Sequence, residues 1–210
     1  MNKPAGKIRL IGGHWRGTRL DVPASPGLRP TGDRVRETLF NWLMPYLPGA
    51  RVIDVFAGTG ALGLEALSRG AADAVLIERD AALASSLRGT LGRLDGGARG
   101  RVVQGDALAW LAGTAETFDI AFVDPPFAGG LWTRVWPALA PRLAPDALVH
   151  VESPTDVDPG VPDHWALHRE GRTREVRHAL YRVPAAGPAA AATLDPDPAA
   201  GEPSSRCENP

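Results

Sequence analysis

The sequence is short of cysteine, lysine and long apolar runs. Its 210 residues include one cysteine, Cys207, and two lysines, Lys3 and Lys7. A single thiol cannot close an internal disulfide, and cysteine pairs at zinc-ligand spacing are missing, so a disulfide scaffold and a cysteine-built zinc site are both excluded. No window approaches the roughly 20 consecutive apolar residues of a membrane span. The opening MNKPAGKIRL leads into Gly12-Gly13-His14-Trp15 instead of the apolar stretch of a secretory signal. These absences predict a cytoplasmic protein. What remains, 44% apolar residues, is enough for one good α/β core and a small extension, not for two full domains.

Net charge is nearly absent as well, at −1, but its distribution is uneven. Residues 1–42 carry eight basic side chains (Lys3, Lys7, Arg9, Arg16, Arg19, Arg29, Arg34, Arg36) against Asp21, Asp33 and Glu37, a balance of +5. Residues 43–183 balance to −3, and residues 184–210 to another −3. A basic head on a mildly acidic body is an electrostatic footprint for nucleic acid. We expect Lys7, Arg9, Arg16, Arg19 and Arg34 to face it.

Three segments follow. Residues 184–210, rich in Pro and Ala with almost no large apolar side chains, cannot offset the entropy of ordering, and the sequence predicts a disordered tail. Residues 47–183 alternate short apolar runs (51–56, 74–78, 101–104, 118–123, 147–152) with helical patterns (61–69, 80–94, 106–113 and about 131–143), the order of a parallel sheet with crossover helices. Runs 165–169 and 176–183 then follow one another across a polar turn, as an antiparallel hairpin closing the sheet. Residues 1–46 read as a basic hairpin, with Lys7–Ile11 and Gly17–Val22 flanking Gly12–Arg16, and an N-capped helix at Asp33–Leu43. The predicted fold is α/β: a seven-stranded, mostly parallel, Rossmann-like sheet closed by an antiparallel hairpin. That closure resembles the class I S-adenosylmethionine (SAM) methyltransferases rather than NAD-binding domains.

Two constellations carry chemistry. Gly58-x-Gly60-x-x-Gly63 joins a strand end to a helix start, and Glu78 lies 20 residues after Gly58, where a ribose-binding carboxylate belongs. A NAD-dependent oxidoreductase is a competitor on this pattern. Asp54 beside the glycine turn weighs against it, because each pairing of that carboxylate with a pyrophosphate charge costs about 3 kcal/mol at ~6 Å and an effective dielectric near 20. SAM brings an ammonium and a sulfonium instead. Asp106, after the third strand, suits either an N-cap or the adenine amino group.

Asp124-Pro125-Pro126-Phe127, at the end of the fourth strand, is the more specific pattern. An exocyclic base amine is a poor nucleophile because its lone pair is delocalised into the ring, so it must be oriented and drawn toward tetrahedral geometry. Asp124 can accept one amine N–H and the Pro125 carbonyl the other. Two prolines stiffen the turn and remove competing N–H donors, and Phe127 offers a face for the base, worth about 1–3 kcal/mol. No metal is called for. Adenine-N6 and cytosine-N4 DNA enzymes and other RNA amino-methyltransferases stay open on this pattern, while the intact Asp124–Phe127 run argues against a non-catalytic RNA-binding module.

Together with Arg29-Pro30-Thr31-x-Asp33-Arg34-Val35-Arg36-Glu37-Thr38-Leu39-Phe40-Asn41-Trp42-Leu43, Ile11-Gly12-Gly13-x-Trp15-Arg16-Gly17 and Ala61–Arg69, the Asp-Pro-Pro-Phe run resembles the RsmD-type methyltransferases that modify guanine N2 in 16S ribosomal RNA. The resemblance spans about Ile8 to Val183. It implies SAM as cofactor, 16S rRNA in the small subunit or its assembly intermediate as partner, and catalysis at Asp124–Phe127. It further implies cofactor contacts from Arg29, Thr31, Asp33, Asp54, Phe56, Gly58, Gly60, Glu78, Arg79, Asp106, Ala107 and Asp124. His14, His150, His164, His168 and His178 have no acidic or serine partner at a telling spacing and read as structural. Trp132, Trp136 and Trp165 read as core or rim, and Trp15 as an exposed ring on the basic hairpin. A monomer is expected, since no coiled-coil pattern is present.

Overall fold

A computed structural model describes residues 6–22, 32–126 and 130–185. Arg29, Thr31, Phe127 and the tail from residue 186 lie outside the described residues. Nine strands and five α-helices run β1(Gly6–Arg9), β2(Arg19–Val22), α1(Asp33–Leu43), β3(Arg51–Asp54), α2(Ala61–Ser68), β4(Asp73–Glu78), α3(Ala81–Arg93), β5(Gly100–Gln104), α4(Ala107–Gly113), β6(Phe118–Val123), α5(Trp132–Leu139), β7(Leu143–Pro154), β8(Ala166–Arg172) and β9(Val176–Arg182) among the described residues.

β3 to β9 form one sheet in the order β5-β4-β3-β6-β7-β9-β8. Its first five strands are parallel, and β9 runs antiparallel to both β7 and β8. The strand order reverses between β3 and β6, so the crevice at their carboxyl ends is the topological switch point where α/β sheets place ligands. No helix among the described residues is long and apolar enough to cross a membrane.

Strand alternation divides the sheet into two cores. Val52, Leu76, Ile120, Phe122, Leu148 and Leu180 face α1, α2 and α3, whose Leu39, Phe40, Leu43, Leu64, Leu67, Leu87 and Leu91 cover them. Ile53, Val75, Ala121, Val123, Val149 and Val151 face the other way, under Leu111 of α4 and Val135, Trp136 and Leu139 of α5. α1 forms because Arg36, Leu39, Phe40 and Leu43 fall on one helical face. The expected cap at Asp33 shifts by one residue: Gly32 is the N-cap, without a side-chain bond, and Asp33 is the first helical residue. α5 tolerates Pro137 inside it, and Pro141 falls in the 3-10 turn that ends it. β7 is longer than its apolar run, starting at Leu143 and carrying a register shift against β6 between Phe118 and Ile120.

The hairpin β1–β2 is docked along α2. Glu65, fully buried, accepts the Ile11 N–H at 2.8 Å and the Gly12 N–H at 2.7 Å, while Arg69 donates to the same carboxylate at 2.7 Å. Ser68 Oγ donates to the Gly12 carbonyl and accepts the Trp15 N–H. Gly13 has φ +74°, and a Cβ there would stand 1.9 Å from the Ser68 carbonyl oxygen, so the loop can approach the helix only as glycine. Trp15 is 4% exposed, which corrects the expectation of an exposed ring. Its indole donates to the Asp95 carbonyl at 2.8 Å and lies under the Arg99 guanidinium. Ile8, Leu10, Trp15 and Leu20 belong to the same cluster as the α1–α3 core.

Candidate active site

The switch point collects carboxylates. Asp54 ends β3 and points to the α1–α3 side, two residues beyond Val52, where its Oδ2 accepts the Gly63 N–H of α2 at 3.0 Å. Burial pushes this carboxyl from the ordinary aspartate range up to about 7. The Gly63 hydrogen bond opposes the push, and the charge of Glu78 adds to it. The chain then turns through Gly58 and Gly60, both with positive φ, into α2. At Gly60 the φ is +75°, and a Cβ would meet Leu87 at 2.3 Å, so the turn lies flat on α3. Glu78, at the end of β4, closes the turn: Oε2 accepts the Gly58 N–H at 2.8 Å and Oε1 the Asp80 N–H at 2.6 Å. Each oxygen keeps a second acceptor position.

Asp124 follows β6 and is half-buried, Pro125 is buried and Pro126 exposed. Burial above all, then the charges of Glu152 and Asp54, holds the Asp124 carboxyl well above its usual range. Glu152, on β7, is a neighbour of Asp124 that the sequence reading did not single out. It is 6% exposed and lies on the same face as Asp54 and Asp124, and its signal was a lone acid ending the apolar run 147–151. Among the described residues no Arg or Lys forms an ion pair with Asp54, Glu78 or Asp124, and no group of three or more of these side chains could hold a metal.

The other predicted contacts are arranged differently. Asp106 caps α4, accepting the Ala109 N–H at 2.9 Å, with Ala107 buried behind it. Phe56 is half-buried against the α4–α5 core, and Arg79 is exposed. Asp33 spends its carboxylate on Arg36, 2.6 Å away. That arginine is wholly buried, donates also to the Arg9 carbonyl, and has no partner for Nε or Nη1 among the described residues. It is therefore no part of the basic surface, which corrects the reading of +5 as a surface charge. Lys7, Arg9, Arg16, Arg19 and Arg34 are exposed, and Arg9 stands opposite Arg19 in the hairpin register.

The histidines occupy separate settings. His150 is fully buried, its ring nitrogens have no hydrogen-bond partner among the described residues, and burial first, then His178, lowers it to about 3. His178 stacks on Trp42 at 5.1 Å between centroids. His164 and His168, four residues apart, fall in a turn and in β8 rather than on one helix face. Trp136 and Trp165 are core residues, with Trp132 stacked on Trp136 at 5.5 Å. Arg172 and Arg177 of the closing hairpin are both held by Glu170, which offsets one of their two charges. A surface cleft lined by residues 155–163 with Arg172, Arg177 and Tyr181 contains none of the four carboxylates.

The site's residues suit a cationic guest. Asp54 and Asp124, pushed toward protonation by burial first and by neighbouring carboxylates second, are relieved by a positive group seated among them, and the glycine turn leaves room for no side chain of its own.

Known proteins resemble this chain over most of its length. The model of the family described as conserved hypothetical protein 95 matches residues 8–182. The chain is 50% identical over 194 residues, covering 89% of it and 98% of the relative, to the ribosomal RNA small subunit methyltransferase D of Escherichia coli strain K12. To the Haemophilus influenzae protein of the same name it is 41% identical over 182 residues, covering 84% and 94%. Among solved structures, a putative methyltransferase yhhF from Escherichia coli superposes with a TM-score of 0.79 at 47% identity, covering 85% of this chain and 99% of that one.

Proposed function

The chain belongs to the conserved hypothetical protein 95 family, and on that premise we propose that it methylates the exocyclic N2 of a guanine in 16S ribosomal RNA, within the small subunit or an assembly intermediate, using SAM. The observation that carries the reading is the Asp124-Pro125-Pro126 segment leaving β6 beside Asp54, on the face where the glycine turn and Glu78 lie. The small-subunit ribosomal RNA methyltransferases of matching length support the substrate class.

SAM bound here supplies a methyl group on a sulfonium. Asp54 and the Gly58–Gly60 turn would hold its methionine part, and the two remaining acceptor positions of Glu78 its ribose hydroxyls. Asp106 and Ala107, at the start of α4, would border the adenine. Asp124 accepts one N–H of the guanine amine and the Pro125 carbonyl the other, directing the nitrogen lone pair at the methyl carbon. As the N–C bond formed, the sulfonium S–C bond would break and leave its electron pair on sulfur as a neutral thioether, and the extra proton on nitrogen would pass to the Asp124 carboxylate, whose raised proton affinity suits it to take it. Outside the pocket, Lys7, Arg9, Arg16, Arg19 and Arg34 are disposed to contact RNA phosphates.

Incubating the protein with labelled SAM and small ribosomal subunits lacking the modification, then digesting the RNA to nucleosides, is expected to yield labelled N2-methylguanosine. Label on adenosine or cytidine, or preferential labelling of duplex DNA, would overturn the assignment.

A further inference from the structure

Asp124 and the Pro125 carbonyl form a cradle that takes any planar exocyclic amine, because adenine N6, cytosine N4 and guanine N2 each present two N–H bonds. The bases differ in the ring atom beside the amine. Adenine N1, beside the N6 amine, and cytosine N3, beside the N4 amine, are bare acceptors. Guanine N1, beside the N2 amine, carries a proton and donates. A second acceptor next to Asp124 therefore fits guanine and repels the other two.

Glu152 stands in that position. β6 and β7 run parallel with Val123 opposite Val151, so Asp124 and Glu152 continue adjacent strands side by side. Phe122 opposite His150, one alternation earlier, sets both acids on the α1–α3 face. Glu152 is as buried as a core residue, at 6% exposure, although it is one of the most strongly solvated side chain types. Its neighbour on the far side is fixed: His178 is its register partner on β9, stacks on Trp42, and fills the space above Gly171, where a Cβ would come within 2.3 Å of the ring. That wall occupies the β9 side of Glu152, and on the other side its charge acts directly on the Asp124 carboxyl.

We propose that Glu152 is the specificity-determining residue of the base pocket, accepting the N1–H of the target guanine while Asp124 and Pro125 hold its amine. The inference rests on the guanine-N2 reading above and adds to it the group that distinguishes guanine from the other amine-bearing bases. A carboxylate paired with N1–H makes a charge-assisted hydrogen bond, whereas the N1 or N3 lone pair of a wrong base would confront it.

The test uses small subunits reassembled on ribosomal RNA ligated from synthetic pieces, with either guanosine or 2-aminopurine riboside at the target position. 2-Aminopurine keeps the 2-amine but has a bare N1. The wild-type protein is expected to methylate the guanosine particles at least 100-fold faster. Glu152→Gln, whose amide can donate to a bare N1, is expected to lose at least 30-fold in kcat/KM on guanosine and to narrow the preference at least tenfold, with SAM affinity within twofold of wild type. Equal rates of the wild-type protein on the two particles, within threefold, would overturn the proposal and need no variant to fold. So would a folded Glu152→Gln protein with an unchanged preference. Absence of N2-methylguanosine from the wild-type reaction on guanosine would instead remove the reading on which the proposal rests.

Discussion

The two faces of the sheet are built from the same strands and differ in what they bury. Toward α4 and α5 the interior is apolar, Ser153 being the one buried polar residue on that side among those described, and Trp136 satisfies its indole on the Pro159 carbonyl at 2.7 Å. Toward α1, α2 and α3 lie Arg36, Asp54, Glu65, Ser68, Thr90, His150, Glu152 and His178, all buried. Charged groups withdrawn from water seldom add stability over apolar side chains of the same volume. Both faces hold the sheet together, and the α1–α3 face gives up part of that advantage to seat the hairpin at one end and the proposed pocket at the other. The concentration of unfavourable burial sets apart the side on which we propose the reaction, more clearly than any single motif does.

Changes on the polar face should therefore separate catalysis from stability. The largest effect is expected from Asp124→Ala, which should abolish turnover, by at least a thousandfold, while SAM affinity measured by calorimetry stays within a few fold; wild-type turnover would remove Asp124 from the chemistry. Next comes Glu65→Ala. It strands the Ile11 and Gly12 N–H groups and the buried side of Arg69 together, and removing one partner of such a buried pair costs about 3–5 kcal/mol. Urea unfolding should show that loss, and hydrogen exchange should show it first at residues 11–15. A loss below about 1 kcal/mol would mean that the hairpin is held by its apolar contacts alone.

Smaller, and dependent on pH, is the effect of Asp54→Asn on the protein without cofactor. The folded carboxyl lies near 7 and the unfolded one in the ordinary range near 3.8, so the folded state holds the proton more tightly between those values. Its contribution to stability then falls as pH rises from about 4 to about 7, by at most about 4 kcal/mol. His150 acts in the opposite sense. Lowered to about 3, it contributes stability that is complete above about 6.5 and is lost as pH falls toward 3. The two slopes oppose each other across pH 4 to 6.5, so the wild-type protein should show a shallow profile there. Asp54→Asn should expose the histidine slope and gain stability at pH 8. Parallel wild-type and variant profiles would show that Asp54 does not carry the proton.

The order of strands and helices was legible because it rests on local periodicity. All seven strands of the main sheet and its four helices fall within a few residues of their apolar runs, and the closing hairpin was signalled by the missing helix between residues 165 and 183. Three side chains were misjudged or missed for a common reason. Trp15 is buried by Asp95 and Arg99, some 80 residues away in the chain, and Arg36 by β1 packing across α1. Glu152 became visible only when β6 and β7 were seen to be neighbours in register. Basic and aromatic residues near a chain terminus resemble a binding surface until the partner element is known. Asp54, Glu78 and Asp124 needed less, because the ends of parallel strands point to one edge whatever the rest of the chain does.

α2 is the element both ends of the molecule share. Its amino end carries the Gly58–Gly60 turn and the Gly63 N–H that Asp54 holds, and its last residues carry Glu65 and Ser68, which grip the hairpin. Eight residues of helix span about 12 Å, with every residue buried. The hairpin loop and the glycine turn are thus gripped by opposite ends of one short, fully embedded element, and neither can shift without meeting the same eight residues.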